Sequence, residues 1–306
     1  SRISISSGGC AAMAALGAMA SSAILYSPGA FFFYPYKPFA QFLWGDSYET
    51  AYKYFRRDHS TPVNLALHIV AFVWTLLGNF GLLACVDGLL VPHAAKVRPW
   101  LSRPLSTSTA LLWSATLLAS PAPRLASLIS TCCVGAAYAI SPVLEPRRLE
   151  GASMLTFLSA LVASKLKWSG AQRLKGDIFH ACKYFGLLLF ARWASAHWHG
   201  MLSAKAKALN VALGFVMVAL GTLPKPAVPA VLGGALLARP LGELTGQDWL
   251  LFYGAAFAAQ VSQGVAHDVS RQKATLLSHQ ESAKSRKATL AFEWSHVVYF
   301  PNLLVH

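Results

Sequence analysis

The sequence predicts an all-α fold, a polytopic transmembrane bundle of about six to eight spanning helices. Three observations lead there. Only 12% of the 306 residues are Asp, Glu, Lys or Arg, while 55% are hydrophobic and mean hydropathy is +0.46. A water-exposed surface needs about twice that charge. Apolar stretches approaching the ~20 residues that cross a bilayer recur along the whole chain. Finally, the 26 basic residues outnumber the 12 acidic ones for a net charge of +14, and they gather in the breaks between apolar stretches. Lys96, Arg98 and Arg103 occupy one break, Lys165, Lys167, Arg173 and Lys175 a second, and Arg271, Lys273, Lys284, Arg286 and Lys287 a third. That placement suits anionic lipid headgroups and predicts bound lipids. Nucleic acid is not an expected partner, because no aromatic stacking platform is interleaved with the charge. A disordered chain, a disulfide scaffold and an ordinary soluble enzyme are excluded.

Taken in order, the chain opens Ser-Arg-Ile-Ser-Ile-Ser-Ser without Met, an acid-free, Ser-rich start that suits a processed product and an organelle transit remnant. The run near 8 to 27 is mostly Ala, Gly, Ser and Met, small residues that let helices approach closely. An aromatic passage follows, Phe31 to Tyr36 with Phe39, Phe42 and Trp44, expected at headgroup level. Residues 1–44 are therefore read as an N-terminal segment and 45–306 as the helix bundle. Further apolar runs lie near 64 to 91, 106 to 120, 124 to 142, 152 to 166, 180 to 202, 207 to 223, 227 to 238, 248 to 267 and 288 to 305, and prolines punctuate the loops. The shorter runs are expected to be re-entrant, interfacial or paired. Asn64-Leu-Ala-Leu and Asn210-Val-Ala-Leu, with Lys-Tyr-Phe at both 53–55 and 183–185, hint at a weak repeat of 45–170 in 180–306. Cys10, Cys85, Cys132, Cys133 and Cys182 are odd in number and read as small core residues.

The passage Asp58-His59-Ser-Thr-Pro62-Val-Asn64-Leu-Ala-Leu-His68 carries the first chemistry. Ser60 or Thr61 can cap a helix whose first turn takes Pro62, since proline has no N–H to leave unpaired. His59 then lies in the loop outside the helix end, with His68 about two turns inside. Asn64 and His68 share a helix face. A loop histidine folding toward a buried one can build a metal site with Asn64 orienting a ring; alternatively His68 is a polar packing residue. A second passage, Gln263-Gly-Val-Ala-His267-Asp268, repeats the four-residue spacing at the end of an apolar run. Ionisable groups at membrane depth are functional candidates. Asp58 and Asp268 adjoin the histidines, as partners of the rings, as the carboxylate of a two-histidine iron site, or simply as solvated charges. Glu293 and His296, three apart, read as a buried structural pair, and His197 and His199 point to different helix faces.

Together these passages resemble the membrane protein family typified by the fungal endoplasmic-reticulum dioxygenase that shortens 2-hydroxy fatty acids by one carbon using iron. His59, Pro62, Asn64 and His68 fit its motif His-x-x-Pro-x-Asn-x-x-x-His, and Gln263, His267, Val269, Lys273, Ala274 and Leu276 fit the second. The resemblance implies an Fe(II) centre held by His59, His68 and His267, with Asn64, Gln263, Asp58 and Asp268 around it, acting on 2-hydroxy fatty acids. It departs at Ser60, where the family often has a second histidine, and at Asp268 and Arg271, where it has Gly and Glu. Arg271, a fixed cation, is expected to weaken iron binding unless Asp58 or Asp268 offsets it. The competing expectation is a non-catalytic accessory subunit of an organelle membrane complex, respiratory or photosynthetic, that holds other membrane subunits. Either reading places the chain in the endoplasmic reticulum or in a mitochondrial or thylakoid inner membrane.

Overall fold

The computed structural model describes residues 7–25, 33–91, 101–146, 191–220, 227–270, 281 and 284–306. Within them every regular element is helical and no strand occurs. The elements are α1 (Ser7–Leu25), α2 (Lys37–Trp44), α3 (Tyr48–Asp58), α4 (Pro62–Leu90), α5 (Pro104–Ala119), α6 (Arg124–Ile140) with a 3-10 turn at Ser141–Val143, α7 (191–200), α8 (Ala204–Leu220), α9 (Ala227–Thr245), α10 (Trp249–Val269) and α11 (Arg286–Val305). The apolar runs at 152 to 166 and 180 to 190, the basic cluster at 165 to 175, and Arg271, Lys273, Ala274, Leu276, His180, His279 and Cys182 lie outside the described residues.

Each early helix has a local cause. Ser47 caps α3 by accepting from Thr50 N–H, Glu49 sits in its first turn, and Arg56 and Arg57 in its last, so charge complements the helix dipole at both ends. Its apolar stripe buries Tyr48, Ala51 and Phe55. Of the two capping candidates before α4, Thr61 does the work, accepting from Asn64 N–H, with Pro62 in the first turn. At 29 residues α4 is about 44 Å long at ~1.5 Å per residue. It and Arg124–Val143, counting the 3-10 turn, are the two described helices long and apolar enough to cross a membrane.

α4 is the wall between two cores. Phe72, Leu76, Phe80 and Leu83 join one that contains Phe55, Trp113, Trp294, Val298 and Phe300. Trp74, Leu82 and Cys85 join the other, with Leu237, Trp249, Phe252 and Ala256. The partner that matters most for the site is α10, which runs antiparallel to α4. Gly78 lies so close to Ala256 that a Cβ there would stand 2.6 Å from its backbone nitrogen, and a Cβ on Gly81 would be 2.1 Å from the Phe252 ring. Small residues are what allow this approach, as between membrane helices generally.

On the other side, α11 ties the bundle together through buried polar side chains. Trp294 Nε1 donates to Ser21 Oγ of α1, Trp113 Nε1 donates to the Val298 carbonyl, and Asn302 donates to the Leu117 carbonyl and Ser120 Oγ where α5 ends. The aromatic passage divides: Phe33 turns inward to stack on Trp113, whereas Phe39 and Phe42 are exposed. Asn210 of α8 donates to the Leu236 carbonyl of α9. Outward faces carry many exposed aliphatics, including Val63, Val70, Leu111, Leu125, Leu128 and Leu209.

Candidate metal centre

His59 is the residue that ends α3, and its backbone is irregular there, with φ −129° and ψ 59°. Its N–H and its Nδ1 both lie 2.8 Å from the Phe55 carbonyl, and its ring stacks on Phe55. His68, inside α4, places Nδ1 2.9 Å from the Asn64 carbonyl. A carbonyl only accepts, so each ring holds its proton on Nδ1 and presents a bare Nε2 lone pair. Those two Nε2 atoms face each other at 3.2 Å.

His267 completes the group from the last turn of α10. Its ring centroid is 4.6 Å from that of His59 and 4.7 Å from that of His68. One nitrogen from each of the three rings falls within 4.8 Å of the others. The structure thus brings together residues from the α3–α4 junction and from α10, some two hundred positions later. Asn64, fully buried, bridges the two halves: its Nδ2 is 3.3 Å from the Asp58 carbonyl and 3.1 Å from His267 Nδ1. A half-turn of the amide would set Oδ1 against Nδ1–H and free His267 Nε2 for the cluster, at the cost of the bond to the Asp58 carbonyl.

All three histidines are buried, at 2%, 1% and 9% exposure, in a wall made by Phe55, Phe72 and Phe300. Burial, reinforced by the neighbouring imidazoles, pushes the His59 ring far below the usual histidine range and so keeps it neutral. Neutral imidazole is the ligating form. Gln263 is buried one turn before His267 on the same helix, and its Nε2 meets no hydrogen-bond partner among the described residues. Asp58 is buried and lies 3.6 Å from Arg57 Nε. The Asp268 side chain lies outside the described residues. Ser60 is exposed, whereas His59 and His68, on either side of it in sequence, are buried.

His296, which the sequence reading assigned to a structural pair with Glu293, lies beside the cluster. It reaches the site from α11, with its ring 6.1 Å from that of His59 and against Phe55, Phe292 and Phe300. The signal was the spacing Phe292, His296, Phe300, which lines one helix face with aromatic rings around an imidazole. Elsewhere, His197 bonds the Trp193 carbonyl, His199 lies 3.9 Å from Glu243, and His306 packs between Tyr48 and Tyr52.

The donor set fits a metal ion. Two nitrogens in adjacent positions around a first-row metal, each ~2.1 Å from it, stand about 3.0–3.4 Å apart, which matches the observed 3.2 Å. With both rings neutral no hydrogen bond is open to this pair, and facing lone pairs repel unless a cation or an added proton joins them. Imidazole ligands suit iron, zinc, copper and nickel alike. Comparison with known proteins supplies no relative, since no family model, curated protein or solved structure matches the chain.

Proposed function

We propose that His59, His68 and His267 hold a ferrous ion and that the chain is a membrane dioxygenase acting on 2-hydroxy fatty acids, a member of the family its two motifs resemble. The observation that carries this is the pair of proton-free Nε2 atoms, each fixed by a backbone carbonyl behind it, with a third imidazole alongside. When bound, Fe(II) supplies affinity for oxygen and for the hydroxyl and carboxylate of the substrate. The chain's own groups do the rest. Phe55, Phe72 and Phe300 exclude water from the site. Asn64 orients His267, and the Gln263 amide offers a donor to a substrate carboxylate.

The acyl chain would lie along the apolar helices. This reading takes α4 and α6 as spans and the other long helices, with the apolar runs outside the described residues, as completing a bundle of about six to eight. The breadth of exposed aliphatic surface on α5, α6 and α8 favours a second reading, an accessory subunit docked in a larger membrane complex.

One experiment separates them. Purified protein loaded anaerobically with Fe(II) is given a 2-hydroxy fatty acid and oxygen, and the one-carbon-shortened product is measured beside His68→Ala. Turnover by the parent and its loss in the variant, with any co-purifying assembly intact, supports the dioxygenase. No turnover by a parent whose iron content is verified leaves the subunit reading.

A further inference from the structure

The antiparallel pairing of α4 with α10 gives the histidine cluster a counterpart at the other end. Asn64 meets His267, Gly78 meets Ala256, Gly81 meets Phe252, and the Cys85 thiol donates to Gln247 Oε1. From His267 back to Trp249 the helix covers about 27 Å at ~1.5 Å per residue, close to the ~30 Å of a bilayer's hydrocarbon core. At that far end a cleft of about 470 Å³ opens between α7, the end of α9 and the turn that leads into α10.

The cleft is built by the α9–α10 turn. Gly246, with φ +66°, takes the left-handed conformation that ends α9, and its N–H donates to the Gly242 carbonyl. The reversal places Glu243 and Asp248 in one wall. Each carboxylate meets a guanidinium: Arg239 Nε donates to Glu243 at 2.6 Å and Arg192 Nε to Asp248 at 3.2 Å. The four side chains are one-third to one-half exposed, so an incoming group can reach them. Arg239 makes no other side-chain bond among the described residues, and both its Nη groups remain as donors. Ser195 Oγ accepts from the Arg239 backbone N–H and fixes α7 against α9.

Two fixed cations and two fixed anions in one cleft select a ligand that carries both charges. Its depth is that of a headgroup, and Trp193 and Trp198 on α7 are more than half exposed, as in an aromatic belt. Among the described residues no aromatic ring lines the cleft, so they offer no cage for a quaternary ammonium. Carboxylate oxygens instead accept from a primary ammonium. We propose that this cleft binds the phosphoethanolamine headgroup of a phospholipid, with the phosphate on Arg192 and Arg239 and the ammonium on Glu243 and Asp248. The proposal rests on the membrane placement of α4 and α10 and is independent of the chemistry at the histidines.

The test uses the full chain, stripped of lipid in detergent and titrated with phosphatidylethanolamine, phosphatidylcholine or phosphatidylglycerol of identical acyl chains, with retained lipid read by native mass spectrometry. Phosphatidylethanolamine should bind about tenfold more tightly than either competitor. Arg239→Gln should weaken it about tenfold, whereas Glu243→Gln with Asp248→Asn should abolish the preference over phosphatidylcholine while phosphate-dependent retention persists. Circular dichroism establishes that each variant folds, and the parent's ranking of the three lipids stands as a test without any variant. Equal retention of all three lipids, tighter binding of phosphatidylglycerol, or full displacement by millimolar inorganic phosphate, which would make this a plain anion site, overturns the proposal. Iron content of the same samples is measured separately, so loss of lipid selectivity and failure of the metal site give different readings.

Discussion

His59 Nε2 and His68 Nε2 lie 3.2 Å apart, and neither has a proton for the other, because the Phe55 and Asn64 carbonyls each hold one on Nδ1. Such an arrangement is stable only when a cation or an added proton joins the two lone pairs. Burial of the His59 ring disfavours the proton. Metal occupancy is therefore expected to stabilise the fold, by about 2.7 kcal/mol when free metal is a hundredfold above Kd. Scanning fluorimetry with and without a chelator checks this. A lower melting temperature on chelation in the parent, and no chelator effect in His68→Ala, is the expected pair of results.

Asn64 is expected to act on a bound metal through His267, which it touches. Replacing Asn64 with Ala removes the bridge to His267 Nδ1 and to the Asp58 carbonyl, and is expected to lower metal affinity roughly 10- to 100-fold, the usual cost of losing a group that orients a ligating ring. Asn64→Asp keeps an acceptor for Nδ1–H but loses the donor to the Asp58 carbonyl, and should recover part of the affinity. Competition titration against a chromogenic chelator measures both; equal losses in the two variants would deny Asn64 an orienting role.

Glycines on different helices should respond oppositely to alanine. A Cβ at Gly78 would stand 2.6 Å from the Ala256 backbone, which cannot rotate away, and the same change at Gly135 of α6 meets nothing within 4 Å. Gly78→Ala is expected to cost about 1–3 kcal/mol as overpacking and to lower metal occupancy by shifting α10, and His267 with it, away from His68. Gly135→Ala should stabilise by about 0.5–1 kcal/mol through helix propensity. Thermal unfolding and metal analysis of the two variants give the comparison.

A carboxylate near the end of α4 secures the next helix. Asp87, 1% exposed, accepts from the Leu105 and Ser106 backbone N–H groups and from the Ser106 hydroxyl, satisfying donors that the first turn of α5 leaves open. Asp87→Ala strands all three donors and should destabilise by about 1–3 kcal/mol. Asp87→Asn, which keeps one acceptor oxygen, should lose less. Metal occupancy should be nearly unchanged in both, because Asp87 lies more than four helical turns from His68 along α4; a fall in occupancy parallel to stability would show the two ends to be coupled.

The all-helical class, and the positions of α4, α6, α10 and α11, were legible because hydropathy runs, a Thr-Pro start and prolines are properties of neighbouring residues. His59, Asn64, His68, Gln263 and His267 could be picked out for the same reason, as polar groups at helical spacing beside apolar runs. α3 could not be found among apolar runs because its amphipathic stripe is diluted by Glu49, Lys53, Arg56 and Arg57. His296 was hidden as a member of a local pair with Glu293, since only the packing of α11 on α3 turns its ring toward Phe55 and His59. Likewise the meeting of His68 with His267 depends on the register between α4 and α10, set where Gly78 admits Ala256 and Gly81 admits Phe252. Hydropathy and spacing act along the chain, but that register is a fit of surfaces nearly two hundred residues apart, and only the packed bundle decides it.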